Sequence, residues 1–325
     1  MVFNWKYYPE RQMYNSKLTS LEGLPQYSGH ETFPLRYGWL KKAYDAVSNA
    51  QKIDDSSSVF NDAGAIALFG VGKNMVSSIR HWATQCNVIE QSSRRDPAVA
   101  GKIGKLIFDE EKGFDPYKEN PSSLWLLHWT LATNPRLATW YWVFNHYHSE
   151  SFERETLVTA LDKFNRERGW TRISKATVKR DVECFVRTYV AKPITGKQTY
   201  EDSIESPLTE LSLIKATGKK DGFRIVRGAK PTLGMGVFAY AVLEFWDDFS
   251  SANTISLEAL LHQPGSPGRV FQLSEDDLID RLIQLHTLTD GLLEWSETAG
   301  LKQLVRSESI SGEQAIKLIE RDFSN

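Results

Sequence analysis

Residues 61–89, NDAGAIALFGVGKNMVSSIRHWATQCNVI, read as helix, glycine turn, helix and strand. NDAGAIALF can form a short helix, and Gly70-Val71-Gly72 supplies the turn. From Lys73 to Cys86 a second helix is expected, because Met75, Val76, Ile79 and the Trp82-Ala83 pair recur at three- and four-residue spacing. Asn87-Val88-Ile89 then leaves it as a short strand. That order is the one a winged helix-turn-helix requires. Lys73, Asn74, Ser77, Arg80 and His81 fall mostly off the apolar stripe, and these residue types suit phosphates and base edges. GVGKN is not a nucleotide-binding P-loop: Ala67 stands where the first glycine belongs, and Asn74 replaces the magnesium-binding hydroxyl.

The same order recurs downstream. An amphipathic helix is expected from Glu155 to Arg168, a turn at Gly169-Trp170, and a helix from Lys175 to Tyr189 capped by Ser174. Val178, Val182, Phe185 and Val186 make its core stripe and leave Lys175, Thr177, Lys179 and Arg180 outside. A third unit runs through Ser256–Leu261, a turn at Gln263–Gly268, a helix at Ser274–Thr287 and a strand at Leu292–Trp295. Its helix face carries Glu275, Asp276, Asp277 and Asp280, which suits a structural or partner-docking role better than DNA.

Upstream of the second unit, Leu124 to Phe144 holds Trp125, Trp129, Trp140, Tyr141 and Trp142, the pattern of a buried helical pair joined at Asn134-Pro135. Glu31 to Ala50 reads as a further helix, residues 1–27 as an irregular lead-in, and Asp54–Ser58 as a loop or cap. The expected fold is mainly α with short β wings: several winged helix-turn-helix units around an aromatic helical core. The expected division is 1–150, with the core; 151–235, a basic unit; and 236–325, an acidic unit.

Composition bounds the function. The chain has 325 residues, 41% of them hydrophobic, and a formal charge of -2. Ten Trp, 12 Tyr and 16 Phe are enough for sizeable cores, which excludes wholesale disorder. No apolar run approaches the roughly 18–20 residues of a membrane helix, and MVFNWKYYPERQ lacks a signal peptide's apolar core, so no membrane and a cytoplasmic location are expected. Cys86 and Cys184 stand far apart, which excludes a disulfide framework and a zinc finger. The near-neutral total hides local excess. Residues 163–197 hold ten bases against three acids, whereas 240–325 hold fifteen acids against six bases. Local basic faces are what a phosphate backbone needs.

Two segments carry groups for phosphodiester chemistry. SGHETFPLRYGWLKK, residues 28–42, offers His30 and Glu31 as an acid/base pair and Arg36 as a phosphate clamp. The alternative there is a capped helix start, with Pro34 in the first turn. FDPYKENPSSLWLLHW, residues 114–129, places Asp115 and Glu119 four residues apart with His128 beyond them. The two carboxylates are candidate magnesium or manganese ligands, and no organic cofactor is expected. The alternative is a turn made by Asp-Pro and Asn-Pro, with His128 hydrogen-bonded in the core. No established nuclease motif is present.

GHETFPLRYGWLKK, GVGKNMVSSIRHWA, FDPYKENPSSLWLLHW, TVKRDVECFVRTY and GSPGRVFQL…TDGLLEWSETAGLKQ occur in that order here. In this the sequence resembles a bacterial family of unknown-function domains encoded beside DNA phosphorothioation genes, from about Tyr27 to Arg306. The family's third motif reads closer to DPYLEDPATLWLLHW. Lys118 and Asn120 depart from it, and Asn120 removes a third carboxylate there. The resemblance implies binding to double-stranded DNA and nicking of one strand so that sulfur can be inserted, in a setting of phage defence. It also implies a cysteine desulfurase, an ATPase and an ATP-pyrophosphatase-like sulfur transferase as partners. It brings no catalytic positions with it. The candidates His30, Glu31, Asp115, Glu119 and His128 therefore rest on their own chemistry. A non-enzymatic DNA-binding adaptor and a transcription regulator are the competing readings.

Overall fold

The structure, a computed structural model, describes residues 17–18, 20–21, 24–53, 59–60, 64–93, 96–191, 206–218, 221–298 and 300–324. Asp54–Ser58, Arg94, Arg95 and most of the N-terminal lead-in lie outside them.

At the centre is the expected aromatic pair, α5 (Pro121–Ala132) and α6 (Ala138–Asn145). Asn120 caps α5 by accepting from the Ser122 N–H at 2.9 Å, and Pro121 occupies the first helical position, where no donor is lost. Every α6 residue is buried, so the pair has no solvent face to satisfy and behaves as core. Trp140 sets its ring edge-to-face at 5.5 Å from Trp82 and 5.3 Å from Phe185, tying α6 to the helices on either side.

The N-terminal part comprises α1 (Trp39–Lys52), α2 (Gly64–Phe69), α3 (Lys73–Gln85), the strands β1 (Ile89–Glu90) and β2 (Val99–Ala100), and α4 (Lys102–Phe108). The strands pair antiparallel, with Ile89 opposite Ala100. Gly101 begins α4 against Asn87, whose carbonyl oxygen lies 2.4 Å from where a Cβ would stand. Only glycine permits that approach.

Two later units share one topology. The first runs β3 (Ser151–Glu153), α7 (Arg154–Glu167), α8 (Lys175–Tyr189), a 3-10 turn at Pro207–Leu211, β4 (Ile214–Ala216) and β5 (Gly222–Ile225), with strand order β3-β5-β4. The second runs β6 (Thr254–Ser256), α10 (Leu257–His262), α11 (Pro267–Val270), α12 (Glu275–Leu288), β7 (Leu293–Thr298) and β8 (Leu301–Arg306), with order β6-β8-β7. In each, the strand that opens the unit pairs antiparallel with the strand that closes it. Ser174 and Ser274 cap α8 and α12 by accepting from the Thr177 and Asp277 N–H groups. Glu275, Asp276 and Asp277 occupy the first turn of α12, where carboxylates complement the helix dipole.

Between these units lies α9 (Met235–Phe249), and α13 (Gly312–Glu320) closes over it. Asp322 accepts from the Gly236 and Val237 N–H groups at 2.7 and 2.8 Å and from the Ser122 hydroxyl at 3.2 Å. The C-terminal segment thereby caps α9 and fastens it to the start of α5. Among the described residues the fold is mainly helical with three small antiparallel sheets, in line with the expected mainly α chain with short β elements. No helix among the described residues is long and apolar enough to cross a membrane.

One helix boundary differs from the expectation. The helix foreseen from Glu31 begins only at Trp39. Glu31 and Thr32 have positive φ angles of 47° and 64°, and Phe33 precedes a proline, which steers it away from helical backbone.

Candidate functional site

The segment that fails to become helix is a tightly constrained loop. Gly29 (φ 110°), Glu31 and Thr32 all lie on the left-handed side. For a β-branched threonine that conformation is an outlier, and each such residue costs about 1–3 kcal/mol unless its surroundings impose it. They do impose it here. The His30 carbonyl accepts from the Phe33 N–H at 2.8 Å, and the Phe33 carbonyl accepts from the Trp82 indole at 3.0 Å and from the Cys184 thiol at 3.4 Å. Arg187 of α8 donates to the Thr32 carbonyl. A Cβ on Gly29 would stand 2.6 Å from the Gln26 amide and 2.7 Å from His81 Nδ1.

His30 is the rivet. Its Nδ1 accepts the Thr32 N–H at 3.0 Å, so its proton sits on Nε2 and is donated to Asp181 Oδ1 at 2.9 Å. Both side chains are buried. His81 of α3 meets His30 edge-to-face at 5.7 Å, and its Nδ1 accepts from the Gln26 amide at 3.4 Å. Burial, then the neighbouring His30 and Arg80, pulls the His81 pKa down to about 3, so it is neutral. Tyr27 donates to Asn165 Oδ1 at 2.8 Å, and burial pushes its phenol well above its usual range. His81 Nε2, Asn165 Nδ2 and Asp181 Oδ2 have no hydrogen-bond partner among the described residues. The loop thus joins α3, α7 and α8 through one buried polar cluster and displays Glu31 in solvent. His30 has its one proton aimed inward, so it positions the loop.

The expected DNA-facing residues divide. Lys73 and Asn74 on α3 are exposed, Ser77 and Arg80 are half-buried, and His81 is buried. The assignment of His81 to a DNA contact is therefore corrected: it faces the interior, against Trp82 and His30. On α8, Lys175, Lys179 and Arg180 are exposed and Thr177 is half-buried; Lys175 already pairs with Glu155 at 2.7 Å. Arg36 lies over the rings of Phe33 and Trp39, at 5.8 and 5.4 Å.

Asp115, Glu119 and His128 are not gathered for metal chemistry. Asp115 is buried, and its two oxygens accept from the Glu119 N–H (2.8 Å), the Asn120 N–H (3.0 Å) and the Ser123 hydroxyl (2.6 Å). That is a cap for the turn entering α5. Glu119 offers an exposed carboxylate, but Asp115 is occupied, so the pair does not fit a resident divalent cation. His128 is fully buried, with Tyr189 OH at 2.9 Å from Nδ1 and the Val270 carbonyl at 2.9 Å from Nε2. Burial lowers its pKa to about 4. It is the hydrogen-bonded core histidine that the alternative reading described. Among the described residues, no three His, Cys, Asp or Glu side chains are grouped to hold a metal ion.

Residues 27–323 match the family described as protein of unknown function (DUF4007). The chain belongs to this family. Two solved structures are similar to it. One, described as magnesium ion-bound SspB, is 28% identical, covers 96% of this chain and 91% of its own, and has a TM-score of 0.82. Another SspB crystal structure is 28% identical, covers 91% and 87% respectively, and has a TM-score of 0.79. No curated protein matches the sequence.

The family match starts at Tyr27, so it takes in the whole strained loop. Sequence reasoning missed three members of the buried cluster: Tyr27, Asn165 and Asp181. A signal was present for two of them. Asp181 sits between Val178 and Val182 on the apolar stripe of α8, and Asn165 follows Leu161 and Phe164 on that of α7. A carboxylate or amide at a core position demands a buried partner.

Proposed function

We propose that this protein is a DNA-binding component of a bacterial DNA phosphorothioation system that nicks one strand of the duplex. The observation that carries this reading is the likeness to SspB over nearly the whole of both chains, at 28% identity. It agrees with the order of sequence motifs shared with proteins encoded beside phosphorothioation genes. In this reading the helix pairs α2–α3 and α7–α8 are helix-turn-helix elements, with β1–β2 and β4–β5 as wings. The second helix of each meets DNA through Lys73 and Asn74 on α3, and through Thr177, Lys179 and Arg180 on α8. Arg36 and Lys175 are secondary contacts, being already stacked or paired.

Of the acids weighed for strand cleavage, Glu31 and Glu119 have exposed side chains, whereas Asp115 and His128 are committed to the fold. We place the chemistry at Glu31, held by the His30–Asp181 rivet. Residues in sparsely populated backbone conformations cluster at functional sites. A magnesium ion is named in the description of one SspB structure. Magnesium characteristically keeps several waters and binds through one or two carboxylates together with substrate phosphates. The reading is therefore tested with magnesium or manganese supplied alongside DNA. Supercoiled plasmid incubated with the protein and either ion is expected to become open circles. Plasmid left closed under both ions excludes nicking by this chain alone.

A second reading, a non-enzymatic adaptor that brings sulfur-transfer enzymes to DNA, is favoured by the structural roles of Asp115 and His128. It gives salt-sensitive DNA binding without cleavage. In both readings the acidic C-terminal unit is the surface for protein partners: the cysteine desulfurase, the ATPase and the sulfur transferase.

A further inference from the structure

Beside the strained loop lies a cleft of about 400 Å³ whose two arginines neither family likeness nor motif assigns. Three parts of the chain build it. Residues 24–28 run alongside the α5–α6 turn, where the Gln26 N–H donates to the Arg136 carbonyl at 2.7 Å and Gln26 bridges in parallel to Leu137. This brings Arg136 to the cleft. Arg172 comes from the turn between α7 and α8, which Gly169 opens at φ 73°. Thr177 comes from the first turn of α8. Tyr27 lines the cleft too, held by its bond to Asn165.

The chemistry of the lining is one-sided. Arg136 and Arg172 are both exposed, and neither guanidinium has a hydrogen-bond or ion-pair partner among the described residues. No Asp or Glu lines the cleft among the described residues. Two guanidinium groups unpaired among the described residues, in a concavity whose described lining holds no acid, suit a phosphate-bearing ligand, because the planar fork matches phosphate oxygens in pairs. The cleft also adjoins the helix that carries Lys179 and Arg180, so its positive potential continues an exposed basic face.

We infer that this cleft seats the sugar-phosphate backbone of a DNA strand, with Arg136 and Arg172 each neutralising a phosphate. The inference rests on the DNA-binding reading and deepens it: the strand held by these arginines lies next to Ser28, three residues before Glu31.

The test is binding of the full chain to a duplex oligonucleotide and to one of its single strands, titrated over a range of salt. Wild type is compared with R136A/R172A and with the charge-keeping R136K/R172K. For the alanine pair, losing two phosphate contacts makes the log–log salt slope shallower by about 1.8 on duplex, or about 1.4 on a single strand. Affinity at about 0.1 M salt falls by on the order of tenfold to a hundredfold. The lysine pair keeps most of the wild-type slope. The form of DNA on which the change appears is the one the cleft seats. Because both arginines are exposed, the melting temperature stays at the wild-type value. Wild type that binds neither form defeats the DNA reading altogether. Wild type that binds, with alanine variants equal to it in affinity and slope, defeats the cleft alone.

Discussion

His30 and Asp181 are 151 residues apart in sequence, yet His30 Nε2 stands 2.9 Å from Asp181 Oδ1, with both side chains excluded from water. Because His30 Nδ1 accepts the Thr32 N–H, this single contact links a strained loop to the middle of α8. Removing either partner strands a buried polar or charged group. His30→Ala, which strands a buried carboxylate, should destabilise the protein by about 3–5 kcal/mol, and Asp181→Ala, which strands a neutral imidazole donor, by about 1–3 kcal/mol. The double variant should lose clearly less than the sum. Urea unfolding of the three proteins measures this, and additive losses would show that the pair does not act as a unit.

Gly29→Ala tests the same loop from its backbone. The glycine has φ 110°, and a Cβ would collide with Gln26 and His81. Strain and steric overlap act together, so stability should fall by more than about 1 kcal/mol. If the alanine variant matches wild type in urea, the loop geometry described here is wrong.

Much of this was legible in the sequence, and the failures have physical causes. The helices at 73–85 and 175–189 and the buried pair around Asn134-Pro135 follow from apolar spacing, which records burial directly. The loop at 28–33 does not, because its conformation is imposed from afar by Trp82, Asp181 and Arg187. Asp115 and His128 have residue types that suit catalysis, but type alone does not tell a capping carboxylate from a metal ligand. Their partners, Ser123 and the Asn120 N–H for one and Tyr189 and Val270 for the other, separate the two uses.

Asp115→Asn should therefore act on stability. The amide keeps one acceptor oxygen and puts an NH2 against the donors that the second carboxylate oxygen now receives, so about 1–3 kcal/mol should be lost. Plasmid nicking per folded molecule, measured well below the variant's melting temperature, should stay within a few-fold of wild type. A complete loss of nicking in a folded Asp115→Asn protein would return Asp115 to the reaction.

Lys179→Glu and Arg180→Glu examine the exposed face of α8. On the proposed function each replaces a cation set against phosphate with an anion, so each should weaken duplex binding and make the log–log salt slope shallower by roughly 0.9 or more. Lys175→Ala should do less, since Lys175 already spends its charge on Glu155. Fluorescence anisotropy at three salt concentrations distinguishes the variants. Equal losses in all three would mean that the Glu155 pair does not restrain Lys175 in solution.

Histidines desolvated by the fold cost it stability in acid. Burial lowers the pKa of His81 to about 3, of His128 to about 4 and of His146 to about 3. In the unfolded chain each returns to about 6.5. Between about pH 6.5 and pH 4 the unfolded state therefore binds protons that the native state refuses. Stability is then greatest above about pH 6.5 and declines as the pH falls. Each fully titrating histidine contributes a slope of about 1.4 kcal/mol per pH unit, so the three together contribute about 4 kcal/mol per unit, and the more exposed His148, also lowered to about 4, adds a smaller, solvent-screened share. His128→Gln removes one of them, and the slope between pH 6 and pH 5 should fall by about a quarter to a third even though the variant starts less stable. Urea midpoints at pH 7, 6 and 5 for both proteins provide the measurement. A wild-type midpoint that is flat over this range would mean that these histidines are already protonated in the native state.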